Sequence, residues 1–167
     1  SRGLGDVYKR QGVEGASIHY RVWGPRAAAP VVLVHGGAAH GGWWDHVGPH
    51  LCGEHRVIAV DLSGHGDSDH RSAYDVRTWA REVTTVAAAE SALAPIVYGH
   101  SMGGFVALTV AREHGERIRG VVAIDSPVRR ISPESGMWRA QRADPDAVRH
   151  YPDRETILAR FRTCLLY

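Results

Sequence analysis

Ser101 sits in the run Gly99-His100-Ser101-Met102-Gly103-Gly104, between the apolar segment Ile96-Val97-Tyr98 and a helical pattern. A serine with glycine two before and two after it has the spacing of a sharp strand-to-helix turn. The strained backbone there brings strand and helix too close together for larger side chains. In such a turn the hydroxyl projects at the helix N-terminus, where free amide N–H groups and the helix dipole favour negative charge. The chemistry served is nucleophilic attack, because an alkoxide and the tetrahedral adduct it forms both need donors aimed at a charged oxygen.

The elements that must hold this serine alternate along the chain. Val31–Val34, Val57–Val60, Ile96–Tyr98 and Val121–Ile124 are short continuous apolar runs rich in β-branched residues, the pattern of parallel strands covered on both faces. Ala16–Trp23 alternates and ends at Gly24-Pro25, and reads as an early antiparallel edge strand. Val76, Trp79, Ala80, Val83, Val86 and Ala87 recur at helical spacing behind Asp75, an N-cap. The helix after Ser101 is expected to bury Phe105, Leu108 and Thr109 and to stop near Gly115. After Asp125 come Ser126-Pro127, the Arg129-Arg130 pair and further prolines at 133, 145 and 152. Two short helices are expected there, one from Asp144-Pro145 and one from Pro152-Asp153 through Phe161.

In an open parallel sheet, ligands bind beyond the carboxyl ends of the strands. His35-Gly36-Gly37 follows the first parallel run, Asp61-Leu-Ser-Gly-His-Gly-Asp-Ser68 the second, His100-Ser101 the third and Asp125 the fourth. In this order the motifs resemble the α/β-hydrolase superfamily over roughly residues 13–163. The resemblance implies an α/β fold, a mostly parallel sheet flanked by helices, with the chain stopping inside a helical cap. It makes Ser101 the nucleophile and gives the oxyanion hole the backbone amides of Gly37 and Met102. The run Asp61–Ser68 is read as turn geometry, since it lacks the third glycine of a dinucleotide fingerprint.

A serine nucleophile needs a base, and the superfamily's chain order is Ser, then Asp or Glu, then His. None of the eleven histidines falls where that order would put the base. The resemblance assigns those preceding Ser101 to loops or helices, His114 to a helix end and His150 to the insertion. His35 and His100 flank the site as structural neighbours. His40, His46, His50, His55, His65 and His70 offer neither a helical His-x-x-x-His pair with a Glu between nor a Cys cluster, so no metal and no cofactor are expected. Asp125 is either a displaced triad acid or a residue shaping the entrance to the cap. Trp43, Trp44 and Trp138 line an acyl pocket or, more in keeping with large aromatics near helix starts, belong to the core.

Composition bounds the rest. With 44% hydrophobic and 23% charged residues the chain is ordinary globular sequence. Residues 1–11 and 164–167 read as foreign, adapter-like segments: Lys9 is the chain's single lysine, and asparagine is absent. The domain is therefore drawn as 12–126 for the core and 127–163 for the start of the cap, with 1–11 left out of the fold. Arg2, Lys9 and Arg10 against Asp6 account for the whole net charge of +2, so neither nucleic acid nor a membrane surface is expected as partner. With Cys52 alone inside the core sequence and no membrane-length apolar run, a cytoplasmic setting is expected. The oligomeric state is left open.

The expected activity is that of a serine hydrolase cleaving an ester, lactone or similar acyl compound through an acyl-enzyme at Ser101. The base lies outside this chain, so the 167 residues alone are expected to be nearly inactive. Stopping in the cap would also leave Val121–Ile124 as an apolar sheet edge and the chain poorly soluble. Carbon–carbon bond hydrolysis, thioester cleavage and cofactor-free perhydrolysis use the same turn. A small-molecule-binding protein that has lost its chemistry would keep the fold. Serine at the nucleophile position argues against the carboxylate chemistry of dehalogenases and epoxide hydrolases.

Overall fold

The computed structural model describes residues 7–126, 141–142, 152–153 and 155–156. Its centre is a six-stranded sheet. Strands β1 (Val7–Val13), β2 (Ala16–Trp23), β3 (Ala29–Val34), β4 (His55–Val60), β6 (Ile96–His100) and β7 (Gly120–Ile124) lie in the order β1-β2-β4-β3-β6-β7. From β4 to β7 all pairings are parallel, with Val31 beside Val57 on one side and Ile96 on the other. β1 and β2 form an antiparallel hairpin, and β2 runs antiparallel to β4. A separate two-residue pairing joins β5 (Ala73–Tyr74) to β8 (Gln141–Arg142).

Composition places residues 7–11 outside the fold, whereas Val7–Val13 form strand β1 of the sheet. Glu14 and Gly15 both have positive φ, 46° and 81°, as the two-residue turn that matches strand twist requires. β1 therefore pairs along β2 from Val7 opposite Val22 to Val13 opposite Ala16. β2 is consequently an interior strand, with β1 at the edge. Lys9 also reaches the buried Glu90 at 2.8 Å, beside Tyr20 Oη at 2.9 Å and the Arg56 guanidinium. Burial alone would raise the Glu90 carboxyl, but hydrogen bonds from Arg56, Lys9 and Tyr20 outweigh it and hold the group below its usual range.

The continuous apolar runs of β3 and β4 are explained by cover on both faces, whereas the run in β7, also expected to be covered, has one face open. Val32, Val34, Ile58 and Val60 point to one side, where they meet Val83 and Val86 of α2 (Val76–Glu90) and Val106 and Val110 of α3 (Met102–His114). Their neighbours Val31, Leu33, Val57 and Ala59 point to the other, against Trp23, Cys52 and Leu51 of the short helix α1 (Gly48–Leu51). α3 buries Gly103, Val106, Ala107 and Val110 rather than the Phe105 and Leu108 face. Small residues let it lie close on the sheet, and Thr109 alone of the expected face is buried. β7 pairs with β6, and among the described residues nothing flanks its other edge; Val122 and Ile124 are exposed.

Asp75 caps α2, accepting from the amides of Arg77 and Thr78, both at 2.8 Å, and from Thr78 Oγ1 at 3.0 Å. Asp75→Ala is expected to cost about 1 kcal/mol. A lower urea midpoint at unchanged m-value would show it. Asp153 likewise accepts from the Thr156 amide at 2.7 Å, as a helix start at Pro152-Asp153 demands. The remainder of that helix, the one from Asp144-Pro145 and Trp138 lie outside the described residues.

Candidate active site

β6 leads directly into Ser101, and α3 leaves it. Ser101 has φ 52° and ψ −114°, a conformation that glycine takes easily and other residues rarely take. Three backbone contacts hold it there: its amide donates to the Ile124 carbonyl at 2.9 Å, and its carbonyl accepts from the Gly104 amide at 3.0 Å and Ser126 Oγ at 2.9 Å. The hydroxyl makes no capping bond to α3. The glycines are close-approach positions. A Cβ on Gly99 would stand 2.0 Å from the Gly103 carbonyl oxygen, and one on Gly103 would stand 2.4 Å from that of Val34.

The loop leaving β3 lies against this turn. A Cβ built on Gly36 would be 3.3 Å from Ser101 Cβ, and one on Gly37 would be 3.9 Å from Met102 Sδ. Gly37 is exposed, so its backbone is open to a bound molecule. Ser101, Gly37 and Met102 are thus brought together at the carboxyl ends of β3 and β6. Asp125 follows β7, exposed and with φ 49°.

A cavity of about 200 Å³ opens at the same end of the sheet, lined by Gly36, Trp43, Trp44, His46, His100 and Ile124 among others. Trp43 is 52% exposed and is a wall residue, not core as its type had indicated. Trp44 serves both, packing also against the cluster around Trp23. A larger groove of about 350 Å³, between α2 and Pro95 and Ile118, contains none of the site residues.

His35 is 1% exposed. Its Nε2 accepts from the Leu62 amide at 3.1 Å, so Nδ1 carries the proton and donates to the Gly36 carbonyl at 2.7 Å. Burial lowers its pKa to about 4, against the raising effect of the Gly36 carbonyl. This is a neutral structural imidazole. Because the folded pKa lies below the unfolded value near 6.5, the contribution is complete above pH 6.5. It is lost as pH falls toward 4, on the order of 3 kcal/mol. Stability should therefore drop across that window, and His35→Gln should flatten the drop. An imidazolium NMR signal from His35 at pH 6 would contradict this.

Two features escaped the sequence reading. His19 lies on β2 and His55 opens β4, not in loops or helices. Asp61, read as a turn residue, is 2% exposed and binds His19 Nδ1 at 2.8 Å. The turn reading of the segment itself agrees with positive φ at Gly64 and Gly66. Among the described residues the cluster of possible metal-ligating groups is His19, Asp61 and Asp67, but both Asp61 oxygens already accept N–H donors.

A sheet of this order with a strained serine between β6 and α3 defines a class, and comparison with known proteins agrees. Residues 29–152 match the family model described as the alpha/beta hydrolase fold, and the chain belongs to that family. It is 37% identical over 116 residues to a non-heme chloroperoxidase of Streptomyces lividans, covering 68% of this chain and 42% of that protein. It is 35% identical over 97 residues to a pimeloyl-[acyl-carrier protein] methyl ester esterase of Neisseria meningitidis, covering 58% and 36%. The crystal structure of esterase RhEst1 from Rhodococcus sp. ECU1013 superposes with a TM-score of 0.64 at 36% identity, over 72% of this chain and 46% of that one. The chain thus spans about two-fifths of the length of the curated relatives it matches. Among the described residues no helix is long and apolar enough to cross a membrane.

Proposed function

We propose that this chain carries the nucleophile and oxyanion hole of a serine hydrolase acting on small esters, lactones or related acyl compounds. The observation that carries the reading is the backbone of Ser101, held at φ 52° between strand and helix with the Gly36-Gly37 loop against it. Ser101 Oγ attacks the acyl carbon, and its proton passes to a base outside the described residues. The carbonyl oxygen gains the charge and accepts from the amides of Gly37 and Met102. Collapse of the adduct expels the alcohol, which takes the proton, and water then releases the acid in the same way.

The similarity to a non-heme chloroperoxidase favours a second reading, perhydrolysis. It shares the acyl-enzyme and differs in the acceptor, hydrogen peroxide replacing water. The free, buried Cys52 fits a reducing compartment.

The test is pre-steady-state hydrolysis of p-nitrophenyl acetate by the full gene product that carries these residues. A stoichiometric burst of p-nitrophenol followed by slower turnover is expected. Faster turnover and peracid product on adding hydrogen peroxide would select the second reading. Saturable binding without a burst would select a non-catalytic binding protein.

A further inference from the structure

Asp61 lies outside the strand-to-helix turn that carries Ser101, yet two loops converge on its buried carboxylate. Oδ1 accepts from the Gly41 amide at 2.5 Å, and Oδ2 accepts from the Asp67 amide at 3.0 Å and faces His19 Nδ1 at 2.8 Å. Both loops present glycine where they approach it. A Cβ on Gly41 would be 2.8 Å from Oδ1, and one on Gly66 would be 2.3 Å from Oδ2. Ser68 Oγ fixes the residue from behind, donating to the Asp61 carbonyl at 2.6 Å while accepting from the His19 amide at 2.8 Å.

Gly41 begins the 3₁₀ turn Gly41–Trp44, which ends the loop that starts at His35. The near end of that loop is tied by His35 Nε2 to the Leu62 amide. Its far end is tied by Gly41 to Asp61. Both tethers therefore come from the exit of β4, and Gly37 stands exposed on the span between them. Ala38, the next residue, has φ 56°, so the span keeps its shape against its own backbone preference.

We propose that Asp61 is a positioning residue for the reaction at Ser101: its carboxylate pins Gly41 and so holds the Gly37 amide where the charged oxygen will form. The inference rests on Ser101 being the nucleophile. An oxyanion donor acts in the transition state more than in the bound substrate, so loosening it lowers turnover while substrate affinity stays. Asn at 61 keeps one acceptor oxygen but turns an N–H₂ toward donors on the other side. One loop is released.

The test is steady-state kinetics of Asp61→Asn, Asp67→Ala and Ser101→Ala in the full gene product with a p-nitrophenyl ester. Amide hydrogen exchange at Gly37 and Gly41 is followed alongside. Asp61→Asn is expected to lower kcat about 10–100-fold with KM within about twofold, and to speed exchange at Gly41 and Gly37 but not at Arg77 and Thr78. Asp67→Ala keeps its amide and should behave as wild type. Should Asp61→Asn fold poorly, Gly41→Ala, which pushes the loop off an intact carboxylate, must give the same kcat-specific loss. A loss confined to KM, wild-type kcat, or unchanged exchange at Gly41 overturns the proposal while leaving the nucleophile in place. Full activity in Ser101→Ala overturns both.

Discussion

Ser101→Ala in the full gene product should lower kcat for ester hydrolysis on the order of 10⁴-fold or more, with KM little changed. The reason is chemical, since alanine has no oxygen to attack with and leaves the pocket and the amides of Gly37 and Met102 as they are. Water attacking directly could still use those amides, so a small residual rate should remain. The backbone makes a second, opposite expectation. Ser101 has the angles of the first central residue of a type II′ turn, a position that suits glycine, and a non-glycine residue there costs of order 1–3 kcal/mol. Ser101→Gly should therefore abolish turnover while leaving the thermal midpoint at or above wild type. Such a pairing of lost activity with undiminished stability would show strain kept for function. Near-wild-type turnover in Ser101→Ala would remove this residue from the mechanism.

Gly99→Ala should be among the most destabilising single methyl additions in the chain, costing about 4 kcal/mol or more. Its Cβ would meet the Gly103 carbonyl oxygen at 2.0 Å, the Gly103 carbonyl carbon at 2.3 Å and the Gly104 amide at 2.6 Å. All three are backbone atoms at the start of α3, so relief requires moving the helix off the strand that carries Ser101. The Gly104→Ala change tests the logic. Its two nearest clashes are both with Ser126: Oγ at 1.9 Å can rotate away at the expense of its bond to the Ser101 carbonyl, and Cβ at 2.7 Å lies on the loop after β7 rather than in the backbone of α3. The cost should be smaller. Gly12→Ala, with nothing within 4 Å, should be neutral. Urea titrations of the three would read the order directly, and a Gly99→Ala midpoint equal to that of Gly12→Ala would contradict the packing at the turn.

Much of this was legible from local pattern. The parallel strands are visible because each is a continuous apolar run, and the two-faced burial of Val31–Val34 explains why it does not alternate. Ser101 is visible because a tight turn demands glycine at fixed offsets. What stayed hidden depends on contacts distant in sequence. The partners of Asp61 are Gly41 and His19, 20 and 42 residues away, so nothing in the Asp61–Ser68 run announces a buried carboxylate. β1 is hidden for another reason: the composition of residues 1–11 is foreign to the rest of the chain, and the strand is defined by the turn Glu14-Gly15 that folds it onto β2. The buried face of α3 departs from the pattern of its larger side chains because Gly103 and Gly104, not Phe105 and Leu108, set how closely it approaches the sheet. The type of Trp43 suggests core, but its place in the turn Gly41–Trp44 beyond β3 keeps it half in solvent.

Mass spectrometry of the full gene product after reaction with a fluorophosphonate tests the central claim most directly. The account predicts one phosphonyl adduct, on the peptide containing Ser101, and no adduct in Ser101→Ala. Stable modification of another serine instead, or equal labelling of the alanine variant, would contradict it.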